Sequence, residues 1–266
     1  MIEIYVKPGI NLPISELERL HQEIMDIAKE CLDEIPDYQC LSGKRSEYDR
    51  LIISVSRDKN GKVEGFCSSY ILNAEELGNI LHLGLTCVSP RARGLGLTHQ
   101  LTSKVISTYL LRYSFFKPAW ISNVACVLSS LGNVAMHFED VYPSPFKASP
   151  SDHHVKLAKF IDQNFRPELY IKHDAVFIEN KFVFEKSVTG TMFEKSAEDR
   201  KFHHRDVELN NFYKGLIDFE NGDEVLQIGK VSLFSYPKYL LKNWNRKKSK
   251  AMLNPVMPKI RDIANS

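Results

Sequence analysis

The sequence has no long apolar run, no marked excess of charge of either sign and no paired cysteine pattern. Its 266 residues include 35 Lys and Arg against 33 Asp and Glu, a net charge of +2, which excludes a uniformly basic nucleic-acid coat protein. No apolar stretch approaches the ~18 residues that a membrane helix needs, and the first residues show no basic segment followed by a hydrophobic one. We therefore expect a cytoplasmic protein with neither a membrane span nor a secretory signal.

Cysteine and histidine spacing gives no sign of a metal site or a redox dithiol. The five cysteines are odd in number and none belongs to a CxxC or CxxH pair; they are Cys31, Cys40, Cys67, Cys87 and Cys126. Histidine doublets stand at 153–154 and 203–204, but adjacent histidines project in different directions on a helix or a strand. We therefore predict reduced, packed thiols and no metal.

The composition is that of an ordinary globular protein, with 43% hydrophobic and 26% charged residues. The length, about twice that of a ~150-residue domain, predicts one large domain or a domain with a substantial extension. Residues 231–261 contain eight cations and no acid. We therefore predict a basic tail over 242–266, which either stays solvated or binds the phosphates of a nucleic acid or an anionic membrane.

Hydrophobic periodicity predicts both strands and helices in the first half of the chain. Apolar residues at three- and four-residue steps predict helices near 14–31 and 97–113, and a short helix is predicted near 131–138. Alternating or β-branched runs predict strands, at 2–6, 51–57, 62–72, 79–88 and 119–127.

The second half begins with a change of composition. Residues 142–152 contain three prolines and no regular apolar period, which indicates a domain boundary or a long surface loop. Beyond it, the pattern predicts a helix over 154–165, strands within 175–185 and a hairpin turn at 220–223. We therefore predict two units besides the tail, namely 1–145 and an α+β extension over 150–241 packed against it.

One segment, residues 83–101, has the features of an anion site. A strand there leads into Arg-Ala-Arg-Gly-Leu-Gly at 91–96, and a helix follows. Gly94 and Gly96 let the backbone approach a ligand closely, and the N-terminus of the helix favours negative charge. Arg91 and Arg93 can donate charge-assisted hydrogen bonds, which favour a pyrophosphate. The spacing matches neither a dinucleotide fingerprint nor a Walker loop.

This segment resembles the acyl-CoA motif of the GNAT acyltransferase superfamily, Arg/Gln-x-x-Gly-x-Gly/Ala at a strand-to-helix junction. Residues 91–96 match every defined position. The order of predicted elements is also that of the superfamily over about 1–145, whereas the extension resembles nothing we recognise. The resemblance implies an α/β (α+β) fold with a mixed, mostly antiparallel sheet flanked by helices, whose fourth and fifth strands splay apart, and the extension adds an α+β region.

The resemblance also implies an activity: transfer of an acyl group from acetyl-CoA or another acyl-CoA to an amine of a small molecule or a peptide, by direct attack and without a metal. A backbone N–H near Leu85 or Thr86 would stabilise the oxyanion. The residues implied to bind the acyl-CoA are Leu85, Thr86, Cys87, Val88, Arg91, Ala92, Arg93, Gly94, Leu95 and Gly96.

The catalytic acid and base match the superfamily less well. Many members have a Glu on the fourth strand, but this strand offers no carboxylate between Ile80 and Val88, and His82 is the candidate base there. Where the superfamily has a Tyr after the fifth strand, this chain has Phe138, so Tyr142 and His137 are the two candidates that could replace that Tyr as the acid. Each of these residues has a packing role as its alternative interpretation.

The missing Glu and Tyr leave a second function open. The chain can be an acyl-CoA-binding or regulatory module with impaired catalysis, associated with an anionic partner through its basic tail. The acceptor, the acyl chain length and the oligomeric state are not predicted from the sequence.

Overall fold

The structure, a computed structural model, describes residues 1–74 and 77–233. The predicted basic tail at 242–266 and the last part of the predicted extension, 234–241, lie outside the described residues. Among the described helices, none has the length and apolar character needed to cross a membrane.

The described chain contains nine strands and seven α-helices. Their bounds are β1 (Ile2–Val6), α1 (Pro8–Asn11), α2 (Ile14–Cys31), α3 (Arg45–Tyr48), β2 (Leu51–Arg57), β3 (Val63–Ala74), β4 (Gly78–Val88), α4 (Leu97–Tyr113), β5 (Ala119–Ala125), α5 (Leu128–His137), β6 (Glu139–Tyr142), α6 (Asp152–Asn164), β7 (Val176–Ile178), β8 (Val183–Glu185), α7 (Val207–Lys214) and β9 (Glu224–Val231).

The described strands form one sheet in the order β1-β2-β3-β4-β5-β9-β8-β7, and β6 pairs with β9. Every pair among them is antiparallel except β4 with β5. Helices cover both faces of the sheet. The predicted fold class, a mixed and mostly antiparallel sheet flanked by helices, is confirmed.

The two long helices pack on opposite faces of the sheet. The apolar stripe of α2, from Leu17 to Ile27, is buried against β2 and β3 in a core that α6 also joins. On the other face, Leu101, Val105 and Leu110 of α4 are fully buried in a second core with β4 and β5. Each such side chain stabilises the fold by roughly 1.5–3 kcal/mol, which explains why periodicity predicts these two helices well.

Parallel pairing of β4 with β5 is short. It joins Ile80 to Trp120 and His82 to Ser122 at its two ends, and the strands diverge beyond this point. In β4 the divergence coincides with a β-bulge, because the register with β3 shifts between Cys67 and Ser69. The divergence leaves an opening between the carboxyl ends of β4 and β5.

The bulge brings the backbone of β4 close to a neighbouring loop. A Cβ on Gly84 would lie 2.3 Å from Gln39 Oε1 and 2.6 Å from the Ser68 carbonyl oxygen. Glycine is therefore required here because no side chain fits between β4 and the loop.

The outer edge of β5 is covered by a strand from the second half of the chain. β9 pairs with β5 over seven residues, from Ala119 with Val231 to Ala125 with Val225. Its other edge pairs with β6 and β8. The predicted hairpin across 220–223 is wrong: a turn is present there, but β9 pairs with these distant strands instead of with residues 216–219. The residues after 150 thus complete the sheet that the first half begins.

Candidate active site

A cleft of about 400 Å³ occupies the opening between β4 and β5. Both strands, both following helices and two distant loops contribute to its lining, which comprises Tyr38, Cys67, Ser69, Leu83, Gly84, Leu85, Thr86, Thr98, His99, Thr102, Ile106, Asn123, Val124, Ala125, Val127, Ser129, Ser130, Asn133, Val134, His137, Phe138 and Phe193. The volume suits a small ligand or one arm of a larger one.

Residues that pack on both faces of the sheet line the cleft: Leu83 packs against the core on the α4 face, and Leu85 and Val124 pack against the core on the α2 face. On one side stand α4 and α5, with Ile106 in the core that α4 forms on that face. On the other side stand Tyr38 and Phe193, whose rings are in edge-to-face contact. Tyr38 precedes Cys40, which belongs to the core on the α2 face.

The glycine motif lies beside the cleft: residues 91–96 are not among its lining residues, but Thr98 and His99, which follow them in the first turn of α4, are. We call the motif and this first turn the glycine rim. Gly94 and Gly96 have φ of +82° and +73°, in the left-handed region that favours glycine. α4 begins directly after Gly96, and the first N–H groups of a helix have no acceptor within it. These donors, together with the helix dipole, make the rim suitable for a phosphate group.

The two arginines of the motif point to different neighbours. Arg91 Nη2 donates to the Val63 carbonyl oxygen at 2.6 Å, at the start of β3. The pKa of the Cys31 thiol at the end of α2 is lowered to about 7 by a hydrogen bond with Cys87 and, more weakly, by the positive charge of Arg93. Both arginine side chains are exposed.

Of the residues predicted to bind acyl-CoA, Leu85 and Thr86 line the cleft. The side chains of Cys87 and Ala92 are buried, so they can contact a ligand through their backbone alone. Val88 ends β4, and the Ser89 hydroxyl after it donates to Glu30 of α2. This hydrogen bond fixes the loop that leads to the glycines.

His82 does not line the cleft and is buried, with 1% of its surface exposed. Its Nδ1 is hydrogen-bonded to Ser122 Oγ at 3.1 Å, at the last pair of the β4–β5 ladder. Burial lowers its pKa to about 3, so the ring is neutral at physiological pH. The structure therefore does not support the predicted base and places His82 as a buried side chain that joins the two strands.

Tyr142 is also absent from the cleft lining. It lies on β6, its hydroxyl donates to the Asn180 carbonyl oxygen at 3.0 Å, and its ring packs edge-to-face on Phe182. Burial raises its pKa. These contacts show a packing role, because the hydroxyl already has an acceptor outside the cleft.

Two imidazoles line the cleft: His137, which the sequence offered as a substitute acid, and His99, which was not among the predicted site residues. His99 lies in the first turn of α4, where burial and the positive charge of Arg205 lower its pKa. His137 ends α5, next to Phe138. Their positions in the sequence could have identified them, because His99 follows the glycine motif and His137 lies in the helix after the fifth strand. Tyr38 and Phe193 gave no signal, because they are 155 residues apart and meet only in the folded chain.

The histidine doublets do not converge. His154 is hydrogen-bonded to the Ser151 hydroxyl and the Asp140 carbonyl oxygen, and His204 accepts from the Asp206 N–H. Within residues 1–74 and 77–233, no group of three His, Cys, Asp or Glu side chains has an arrangement that could hold a metal ion.

No protein-family model and no curated protein matches the chain. It is similar to solved structures of N-acetyltransferases. A GNAT family N-acetyltransferase from Escherichia coli in complex with CoA is 16% identical, with a TM-score of 0.35, over 47% of this chain and 62% of that one. Glucosamine-6-phosphate N-acetyltransferase from Arabidopsis thaliana is 18% identical, with a TM-score of 0.30, over 46% of this chain and 81% of that one.

An aminoglycoside acetyltransferase from an uncultured soil metagenomic sample is 14% identical, with a TM-score of 0.32, over 43% of this chain and 74% of that one. All three are acetyltransferases. This chain covers about 62% of the length of the Escherichia coli N-acetyltransferase, less than two thirds of it.

The buried state of His82 predicts how stability depends on pH. An imidazole whose pKa falls on folding, here from 6.5 to about 3, binds fewer protons in the native state, so its contribution is lost as the pH falls below 6.5. Between pH 7 and pH 5, the free energy of unfolding should therefore decrease by about 2 kcal/mol more in the wild type than in His82→Gln. Urea unfolding at the two pH values measures this difference.

The control is His153→Gln, at an exposed position on α6, which should keep the wild-type pH dependence. Equal pH dependence of the wild type and His82→Gln would show that His82 is not held neutral by burial.

Proposed function

We propose that the protein is an acyl-CoA-dependent N-acyltransferase that works in the cleft between β4 and β5. The pyrophosphate of the donor would bind at the rim formed by Gly94, Gly96 and the start of α4. Its pantetheine arm would lie along β4 at 83–86, and the acceptor amine would enter along the side of the cleft that Tyr38 and Phe193 line. The observation that supports this best is the divergence of β4 from β5 beside a glycine-rich helix start.

The reaction follows from what each side of the cleft offers. The nitrogen lone pair of the amine attacks the thioester carbonyl carbon, forming the N–C bond and pushing electrons onto the oxygen. A backbone N–H of β4 near Leu85 or Thr86 would donate to this oxyanion. When the intermediate collapses, the C–S bond breaks, the CoA thiolate leaves and the nitrogen gives up its extra proton.

The two proton transfers need side chains that can take up and release a proton. Burial raises the pKa values of the Tyr38 hydroxyl and the Cys67 thiol, so neither gives or takes a proton readily near neutral pH. Among the residues that line the cleft, the imidazoles of His99 and His137 remain. His137 lies on the side of α4 and α5, where the thiolate would leave, and is our candidate for its protonation.

The placement of Gly94 gives a test of donor binding. Gly94→Asp would put a carboxylate where the pyrophosphate must lie, so the affinity for acetyl-CoA should fall more than about tenfold in isothermal titration calorimetry. The matched control is Gly78→Asp at the other end of β4. Gly78 also has φ of +82° and no atom within 4 Å of an added Cβ, so both variants should lose a similar stability of about 1 kcal/mol.

Gly78→Asp should thus bind acetyl-CoA like the wild type. If both variants bind it equally well, the glycine rim is not the donor site; if the wild type does not bind it, the proposed function is wrong.

Loss of the His137 imidazole should affect the chemical step. His137→Gln is expected to lower kcat by ~10²–10⁴ while the dissociation constant for acetyl-CoA stays within a few-fold, because the leaving thiolate then lacks its proton donor. The readout is release of the CoA thiol under saturating substrate, with exposed His153→Gln as the control. An unchanged kcat and pH profile in His137→Gln would assign the proton transfer elsewhere.

A second candidate function is acyl-CoA binding without transfer. It is favoured by one observation: neither predicted catalytic residue, His82 or Tyr142, lines the cleft. Such a module would bind acetyl-CoA with the same dependence on Gly94 but would release no thiol with any amine.

A further inference from the structure

We propose that the acceptor is a monoamine on an aromatic or other apolar skeleton, not a polyamine or an aminosugar with several positive charges. This inference rests on the proposed function, and it names the substrate class of the same cleft. Three features of the cleft lead to it: an aromatic wall at the acceptor side, the rigid attachment of that wall to both strands, and an uncharged lining.

The acceptor side of the cleft is walled by a cluster of three aromatic rings. Tyr38 is in edge-to-face contact with Tyr170 and with Phe193, at centroid distances of 5.8 and 5.9 Å, and Tyr170 contacts Phe193 at 5.2 Å. Tyr38 and Phe193 also line the cleft. Such a wall offers ring faces and edges to a planar or apolar group.

Tyr38 is held relative to β4 by a buried polar chain. Its hydroxyl accepts from Gln39 Nε2 at 2.6 Å, and Gln39 Oε1 accepts from the Ser68 hydroxyl at 2.8 Å. The same Gln39 amide occupies the space that a Cβ on Gly84 would fill. The ring therefore keeps a fixed distance from the part of β4 along which the donor would lie.

Phe193 is attached to the end of β5, the strand opposite β4. The Cys126 thiol, directly after β5, donates to the Phe193 carbonyl oxygen at 3.2 Å. The aromatic wall thus bridges the ends of both diverging strands, and an acceptor that packs on it would present its nitrogen toward the space between them.

The described lining offers no charged partner for a second cation. Within residues 1–74 and 77–233, none of those that line the cleft is Asp, Glu, Lys or Arg. Their polar groups are hydroxyls, side-chain amides and the imidazoles of His99 and His137. An ammonium buried without a carboxylate loses its hydration with no compensating ion pair. An acceptor with several positive charges would therefore be excluded, whereas a monoamine needs to lose only one proton to react.

A buried carboxyl behind the wall does not change this conclusion. Glu224, at the start of β9, accepts from the Ser187 hydroxyl at 2.6 Å and does not line the cleft. Burial raises its pKa to about 7, so a large fraction of it is protonated at neutral pH. The Ser187 hydroxyl donates to one of its oxygens, so this carboxyl is already engaged outside the lining of the cleft.

The test compares amines on the full chain with saturating acetyl-CoA. 2-Phenylethylamine is the apolar monoamine, and spermidine and kanamycin are the polycations; thiol release gives kcat/KM for each. We expect kcat/KM to be at least about tenfold higher for 2-phenylethylamine. Each amine is also titrated into the CoA-loaded protein by calorimetry, so that binding is measured independently of transfer.

Two substitutions at Phe193 test whether the uncharged aromatic wall causes the preference for a monoamine. Phe193→Asp places a carboxylate at the acceptor side and should raise kcat/KM for spermidine relative to 2-phenylethylamine by at least about tenfold. Phe193→Leu keeps an apolar group and should retain the wild-type order of preference. Melting temperature and acetyl-CoA affinity confirm that each variant is folded; if Phe193→Asp does not fold, the wild-type panel decides alone.

The outcomes separate this inference from the proposed function. Preference of the wild type for spermidine or kanamycin would overturn the acceptor class while leaving acyl transfer intact. Binding of 2-phenylethylamine without thiol release would support the acceptor class and overturn acyl transfer. If acetyl-CoA binds and no amine either binds or reacts, both are wrong.

Discussion

The short parallel ladder between β4 and β5 is the constraint on which the rest of the site depends. Three residue pairs hold the strands together, with His82 and Ser122 as the last, and beyond them a bulge turns β4 away. Backbone N–H and C=O groups at the diverging edges need partners when they are covered, and a ligand can supply them. The cleft is therefore a consequence of how the sheet is paired.

The pairing of β9 with one edge of β5 keeps β5 in the sheet where its other edge no longer pairs with β4. β9 pairs along all of β5, so that strand is held firmly although it has lost β4 as a neighbour. The chain between β6 and β9 then returns Phe193 to the acceptor side of the cleft. The second half of the protein thus has two roles, one in completing the sheet and one in shaping the site.

Sequence reasoning succeeded where local physics decides the structure. The apolar stripes predicted α2 and α4, and the segment at 91–96 was predicted to join a strand to a helix, as it does between β4 and α4. The sequence did not predict that β9 pairs with β5 and β6. The turn residues at 220–223 indicate pairing between segments that are adjacent in sequence, whereas in the folded chain β9 is buried between strands that are distant in sequence. The position of His82 was not predictable either, since its local sequence does not reveal that Ser122 stands opposite it in the sheet.

Hydrogen–deuterium exchange of the full chain with and without acetyl-CoA tests the central claim most directly, because it reports on the backbone that the ligand would contact. The account predicts slower exchange in the ligand-bound protein at residues 83–88 of β4 and at 94–99 around the start of α4, with β1 unchanged. Tight binding of acetyl-CoA that leaves both segments unprotected, or that protects the far side of the sheet instead, would contradict it.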